Sequence, residues 1–238
     1  MIYPDDFINK IVNGDCIEVM GEIPTKSIDL IVTSPPYNLG IRKVSKNASF
    51  AKKSTKLQTV GYDSHDDYMP KKDYIRWQRN CLFEMIRVLK DDGAIFYNHR
   101  WRVQEGRLED CSDIMAGLPV RQIIIWKKQT SLNFNEGYFL PIYEVIYLIT
   151  QKDFKLAPNG NKNTDVWDIK FEKNETGHPA PFPIEVPEKC ISSTNAEIIL
   201  DPFVGSGTTA LAAKKLGRKY IGIDISAQYC EIARERVK

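Results

Sequence analysis

Thr33-Ser34-Pro35-Pro36-Tyr37 packs a hydroxyl, two backbone-fixing prolines and an aromatic ring into five residues. That set suits a planar amine. The Ser34 hydroxyl oxygen and the Pro35 carbonyl can accept its N–H groups. Pro35 and Pro36 hold those acceptors in place, and the Tyr37 ring offers a face for stacking. A second group lies near the other end, Asp201-Pro202-Phe203-Val204-Gly205-Ser206-Gly207-Thr208-Thr209. Two glycines between a strand end and a helix start permit a tight turn and a close approach of a ligand to bare backbone. The third glycine of a dinucleotide fingerprint is replaced here, and no Gly-Lys-Ser/Thr ending follows. The loop therefore suits a small cofactor that carries a nucleoside and an amino acid without phosphate. Asp224, at the end of the next apolar run, is placed to accept from ribose hydroxyls.

These motifs need a frame, and the sequence predicts an α/β one with a largely parallel sheet. Short apolar runs (Ile11-Val12, Ile28 to Val32, Ala94 to Tyr97, Glu197 to Leu200, Tyr220 to Asp224) read as strands. Between them lie amphipathic stretches that read as helices: Ile17 to Gly21, Asp73 to Lys90, Val103 to Ala116, Ile184 to Ser192, Thr208 to Leu216 and Ala227 to Val237. In Asp73 to Lys90, Tyr74, Trp77, Cys81, Met85 and Val88 recur at helical spacing. Gln122 to Trp126 and Glu144 to Ile149 read as an antiparallel pair. Residues 127–142 and 151–177 read as irregular. Both motifs then fall at the C-terminal ends of buried strands, where open α/β sheets bind ligands.

The bulk properties narrow the field. No stretch approaches the roughly 20 apolar residues of a membrane helix, and the acidic start Met1 to Asp6 lacks a signal-peptide layout; a cytoplasmic location is expected. The five cysteines, Cys16, Cys81, Cys111, Cys190 and Cys230, are scattered, with no Cys-x-x-Cys pair. Buried free thiols are expected, with neither a disulfide framework nor a metal centre. The net charge is only +2, so nothing global points to nucleic acid. Locally, however, Arg42, Lys43, Lys46, Lys52, Lys53 and Lys56 stand with no acid among them, directly after Tyr37. Such a basic loop suits phosphate contacts. Asn98, His99 and Arg102 follow the strand ending at Tyr97, and Lys127 and Lys128 follow Trp126; these too could face a substrate.

The two motifs, in this order, resemble those of the β group of DNA amino-methyltransferases, which depend on S-adenosylmethionine. Leu216-Gly217-Arg218-Lys219-Tyr220-Ile221-Gly222-Ile223-Asp224 fits the same family. So does Asn13-Gly14-Asp15-Cys16, where the family uses the Asp near the cofactor adenine. His178-Pro179-Ala180-Pro181-Phe182-Pro183 resembles the segment that packs on the methionine part. The resemblance implies a Rossmann-like methyltransferase fold, mostly parallel with an antiparallel hairpin and helices on both faces. It implies one domain over 1–238, with a basic loop at 38–70 and a small target-recognition segment at about 127–177. It implies catalysis by Ser34, Pro35, Pro36 and Tyr37. The implied cofactor contacts are Asp15, Cys16, His178, Pro179, Asp201, Phe203, Gly205, Ser206, Gly207, Thr208 and Asp224. DNA contacts are expected from Arg42, Lys43, Lys46, Lys52, Lys53, Arg102, Lys127 and Lys128. The implied partners are double-stranded DNA, a second copy of the chain and a cognate restriction endonuclease, with no membrane and no metal.

An exocyclic base nitrogen is a poor nucleophile whose lone pair is delocalised into the ring, and it lies inside the duplex stack. The base must be flipped out and its lone pair localised. Ser34 in place of the Asp usual in adenine N6 enzymes leans the reading to cytosine N4, with adenine N6 as the alternative. More distant alternatives are an RNA or protein amide methyltransferase, a catalytically silent DNA-binding module and a dinucleotide oxidoreductase.

Overall fold

The structure, a computed structural model, describes residues 1–38, 68–129, 136–158, 160–170 and 182–238. The chain begins with β1 (Lys10–Asn13), α1 (Cys16–Gly21) and β2 (Ile28–Thr33). After the span that includes residues 39–67 come α2 (Lys71–Val88) and β3 (Leu89–His99). The hairpin β4 (Arg102–Gln104) and β5 (Arg107–Glu109) leads to α3 (Ser112–Met115), β6 (Val120–Lys127) and β7 (Tyr143–Thr150). A short strand β8 (Val166–Asp168) precedes α4 (Glu185–Ser192), β9 (Ile198–Asp201), α5 (Thr208–Lys215), β10 (Lys219–Asp224) and α6 (Ala227–Arg236).

Eight strands form one sheet in the order β1-β10-β9-β2-β3-β7-β6-β8. Every neighbouring pair is parallel except β3 with β7 and β6 with β7. β7 alone runs against the rest, so its N-terminal end sits at the edge where the parallel strands have their C-terminal ends. Side chains alternate between two faces, as the strand period of two requires. In β2, Ile28 and Ile31 join the core shared with α1 and α2, while Leu30 and Val32 join the core shared with α4 and α5. In β3, Ile95 and Tyr97 take the first face, and Ala94 and Phe96 the second. Each such Ile, Leu, Val or Phe side chain, fully buried, stabilises the fold by about 1.5–3 kcal/mol in transfer terms. The expected α/β architecture with helices on both faces is what folds.

α2 buries Tyr74, Gln78, Cys81, Leu82, Met85 and Val88 along one stripe, as its spacing predicts. The strand after it is longer than expected. β3 starts at Leu89 and carries a register shift opposite Ile28–Leu30 of β2. Gly93 is required there, because a Cβ would stand 2.6 Å from Leu89 Cγ and 2.9 Å from the Asp29 carbonyl oxygen. The helix expected over Val103 to Ala116 does not form as such. Glu105 (φ 52°) and Gly106 (φ 73°) make a two-residue turn with both φ angles positive, and the chain folds back as β4–β5 before the one-turn α3. The segment 151–177 also holds a strand, β8, so it is not wholly irregular. β7 and β8 both fall inside the span 127–177 expected for target recognition. The five cysteines are free and buried. Among the described residues no helix is long and apolar enough to cross a membrane.

Candidate active site

β9 leads through α5 to β10 on one side, and β2 leads through α2 to β3 on the other. The boundary between β9 and β2 is therefore a topological switch point, the crevice where open α/β sheets bind ligands. Both motifs open onto it. Thr33 ends β2, and its hydroxyl donates to Asp201 Oδ1 at 2.7 Å, at the end of β9. Thr209 Oγ1 donates to Asp201 Oδ2 at 2.7 Å, and the Phe203 N–H donates to Oδ1 at 3.1 Å. Asp201 is 2% exposed. Burial raises its carboxyl pKa to about 6, against the lowering effect of its three donors. Asp201 is an internal clamp joining β2, the glycine loop and α5, with both oxygens engaged inside the protein.

The loop itself is tightly formed. Gly205 (φ 50°) and Gly207 (φ 87°) adopt left-handed backbone. A Cβ on Gly207 would lie 2.9 Å from Ala233 Cβ and 3.0 Å from its Cα. Ser206 and Thr208 are buried and face α6. Arg236 Nη1 donates to the Ser206 carbonyl at 2.7 Å, to Ser206 Oγ at 3.0 Å and to Thr208 Oγ1 at 3.3 Å. Asp224 Oδ2 accepts from the Gly205 N–H at 2.9 Å, and Oδ1 from the Ser226 N–H at 2.8 Å. Burial raises its carboxyl pKa. Asp15 caps α1, its Oδ1 accepting from the N–H groups of Ile17 and Glu18. Asn13 Nδ2 donates to the carbonyls of Asp224 and Ile225, which ties β1 to β10 at this edge. Cys16 is buried in the core, its sulfur 3.6 Å from that of Cys81. Phe203 meets Trp77 of α2 edge-on at 5.7 Å. His178 and Pro179 lie outside the described residues.

The amine-gripping motif is built into a polar row that local sequence does not reveal. Neighbouring strands β2, β3, β7 and β6 gather Ser34, Asn98, Glu144 and Lys128 at one edge of the sheet, Glu144 lying diagonal to Asn98. The Ser34 and Tyr37 hydroxyls are 2.6 Å apart. Tyr37 donates to Glu144 Oε2 at 3.2 Å. Asn98 Nδ2 donates to Tyr37 Oη at 2.7 Å and to Glu144 Oε2 at 2.9 Å, and reaches Ser34 Oγ at 3.3 Å. Lys128 Nζ pairs with Glu144 Oε1 at 2.9 Å, the two side chains 7% and 12% exposed. Asn98 Oδ1 is buried without a hydrogen-bond partner among the described residues. Lys128, expected among the DNA contacts, lies inside the protein and pairs with Glu144.

A second layer fixes the motif from behind. The Pro36 carbonyl accepts from Tyr74 Oη at 2.9 Å and from Gln78 Nε2 at 3.2 Å. Tyr97 donates to Gln78 Oε1. His99 Nε2 lies 2.8 Å from the Tyr74 hydroxyl, and its ring packs against Tyr37 at 4.8 Å. Burial lowers the His99 pKa to about 4, so this imidazole is neutral and serves packing. Arg102 Nη1 donates to the Tyr37 and Asn38 carbonyls at 3.3 and 3.0 Å. Asn38 and Met69 exchange two hydrogen bonds, 2.9 and 2.8 Å, closing the ends of the intervening span. Arg102 therefore steadies the motif and is not displayed as a free cation. Lys127 is exposed and pairs with Asp168 at 2.7 Å. Arg42, Lys43, Lys46, Lys52 and Lys53 lie outside the described residues.

Sequence reasoning missed Glu144, Gln78 and Arg236. Two left a signal: Glu144 is a lone acid opening the apolar run Val145 to Ile149, and Gln78 is a polar residue on the apolar stripe of α2. Arg236 left none. Among the described residues, no group of three or more His, Cys, Asp or Glu side chains is gathered as for a metal.

The comparisons with known proteins agree with this geometry. A type II methyltransferase of Bacillus subtilis, M.BglII, is 27% identical over 97% of this chain and 69% of its own length. M.HinfI, a type II methyltransferase of Haemophilus influenzae, is 28% identical over 98% and 69%. Among solved structures, PvuII DNA methyltransferase, described as cytosine-N4-specific, superposes with a TM-score of 0.73 at 16% identity, covering 98% of this chain and 90% of that one. M1.HpyAVI, solved as a complex with SAM, gives 0.62 at 22%, covering 96% and 98%; both likenesses speak to the fold. A family model described as DNA methylase, for N6 and N4 methyltransferases, matches residues 28–235. Running as it does from β2 into α6 and so spanning both the polar row and the glycine loop, that match makes this chain a member of the N6/N4 DNA methylase family.

Proposed function

We propose that the chain transfers a methyl group from S-adenosylmethionine to the exocyclic amine of a flipped base in double-stranded DNA, at cytosine N4. The observation that carries this reading is the row Ser34–Asn98–Glu144 standing beside the β9 loop at the switch point. When bound, S-adenosylmethionine supplies an electrophilic methyl on a sulfonium that departs as a neutral thioether. The chain's residues fit such a ligand. Gly205 to Gly207 offer backbone in a loop too tight for a side chain at 207. Each Asp224 carboxylate oxygen already accepts one backbone N–H and keeps a second lone pair for a ribose hydroxyl.

On the other side of the crevice, Ser34 Oγ and the Pro35 carbonyl accept from the amine. The buried Asn98 Oδ1 adds acceptor capacity that has no donor among the described residues, which suits an N–H of a base. Tyr37, backed by His99, stacks on the flipped ring and offsets part of the cost of extrusion. Serine at position 34 and the cytosine-N4-specific description of the PvuII enzyme support cytosine over adenine. The type II names of the relatives support a restriction endonuclease working on the same site. Pairing into a homodimer and a cytoplasmic site of action go with the same reading.

The test is transfer of labelled methyl from S-adenosylmethionine to unmethylated genomic DNA, followed by nucleoside mass spectrometry. N4-methylcytosine is expected. N6-methyladenine would keep the mechanism and reverse the base. No label in DNA, with cofactor binding intact, would overturn the reading.

A further inference from the structure

Methylating an amine creates a proton problem. As the nitrogen takes the methyl carbon, the carbon–sulfur pair stays on sulfur, and the nitrogen, now positively charged, must lose one of its hydrogens. A carboxylate at position 34 would take that proton directly. This chain has a serine, whose hydroxyl is a weak base. The geometry points to a relay that replaces the missing carboxylate, running from Ser34 through Tyr37 to Glu144. This inference rests on the function proposed above and adds the route of the proton.

The hydrogen bonds allow the required direction. Tyr37 donates to Glu144 Oε2 at 3.2 Å. That leaves the Ser34 hydroxyl, 2.6 Å away, as donor to Tyr37 Oη. Ser34 Oγ then has a lone pair toward the amine. As the amine proton moves onto Ser34 Oγ, the Ser34 hydrogen moves to Tyr37 Oη and the Tyr37 hydrogen moves to Glu144 Oε2. Ser34 and Tyr37 end as they began, the base is neutral, and Glu144 holds one proton as a carboxylic acid. Glu144 is 12% exposed on its side chain, so it can return the proton to solvent after turnover.

The surroundings fit a proton acceptor better than a structural filler. Glu144 is nearly buried on a strand whose next six residues are buried, where an acid costs folding energy unless paired. Lys128 supplies the pair through Oε1, on the side away from Tyr37. Asn98 Nδ2 donates to Oε2 and to Tyr37 Oη, which fixes the angle between the relay's last two members. Without Asn98, two oxygens sharing one hydrogen would be free to swing apart. Glu144 touches no substrate; it acts through Tyr37.

The test uses the full-length protein with S-adenosylmethionine and a DNA that the wild type methylates. Single-turnover methylation is measured in H2O and D2O, alongside the binding of DNA and of cofactor. Glu144→Gln keeps the size and an acceptor but removes the base. Tyr37→Phe keeps the stacking ring and removes the middle oxygen. Both variants should lose about 10²-fold or more in single-turnover rate, the usual share of a positioned base, with DNA and cofactor affinities within a few fold of wild type. The wild-type solvent isotope effect should fall toward one in both. Glu144→Asp should recover part of the rate. Wild-type rates and isotope effects in either correctly folded variant would overturn the relay. If Glu144→Gln lost cofactor binding through misfolding, Tyr37→Phe alone would decide. If the wild type methylated no DNA, the proposed function itself would fall and the relay with it.

Discussion

His99 is 6% exposed and sits between the rings of Tyr37 and Tyr97, while Asp201 is 2% exposed under the glycine loop. Burial acts on the two in opposite senses. The His99 pKa drops from 6.5 to about 4, and the Asp201 pKa rises from 3.8 to about 6. For His99, the unfolded chain takes up a proton near pH 6.5 that the folded chain refuses until about pH 4. Its contribution to stability is therefore complete above pH 6.5 and is lost as pH falls through that window. For Asp201 the folded chain takes the proton first, near pH 6, so its contribution is complete below pH 3.8 and is lost as pH rises through 6. Each contribution is about 3 kcal/mol, and over pH 4–6 they nearly cancel. Substitution should separate them. Urea unfolding at pH 7 and pH 4.5 should show His99→Gln gaining stability relative to wild type in acid and Asp201→Asn losing it. If both variants tracked the wild type at the two pH values, the assignment of these shifts to burial would be wrong.

At the scale of elements, the glycine loop is held by what lies beneath it. Arg236 of α6 grips Ser206 and Thr208, and Ala233 of the same helix closes on the space a Gly207 side chain would need. Gly207→Ala should cost about 1 kcal/mol for the left-handed backbone and about 1–3 kcal/mol more for the clash. It should also weaken S-adenosylmethionine binding in a thermal-shift titration, because α6 and the loop must part. Gly21→Ala is the control: a Cβ there meets nothing within 4 Å, and no loss is expected. Elements of this kind were legible where the chain signals locally. Leu30 to Val32 and Tyr220 to Ile223 are continuous apolar runs, the mark of strands buried on both faces. Val103 and Ile114 stand about three helical turns apart, yet the Glu105–Gly106 turn wins and makes a hairpin whose Leu108 is 58% exposed. β8 has three residues and one buried side chain, Trp167, too short for any period to register. The site divides the same way. Ser34 and Tyr37 stand in one pentapeptide. Glu144 meets Tyr37 across 107 residues and Asn98 meets it across 61, and such pairings exist only once the strand order is known.

For the molecule as a whole, the question is where DNA phosphates are met by a chain whose net charge is only +2. Eight cations were candidates from sequence. Three have partners within the protein: Lys128 is buried against Glu144, Arg102 is bonded to the Tyr37 and Asn38 carbonyls, and Lys127 is paired with Asp168. The other five, Arg42, Lys43, Lys46, Lys52 and Lys53, share a stretch with no acid from 42 to 56. The described residues on either side of the span that contains it, Asn38 and Met69, hold each other next to Tyr37. A cation meeting a phosphate there would anchor the DNA backbone beside the flipped base. Removing one such cation should lower the salt slope of binding by about one. Replacing Lys46, Lys52 and Lys53 together with Gln should therefore reduce the slope of log K against log salt by about three. Affinity should fall by a similar factor on cognate and random duplexes, since phosphates carry no sequence information. Cofactor binding should be unchanged, because none of these residues belongs to the glycine loop of 201–209. An unaltered slope would move the phosphate-binding cations to other surfaces of the molecule. A loss confined to the cognate duplex would make this stretch a reader of bases.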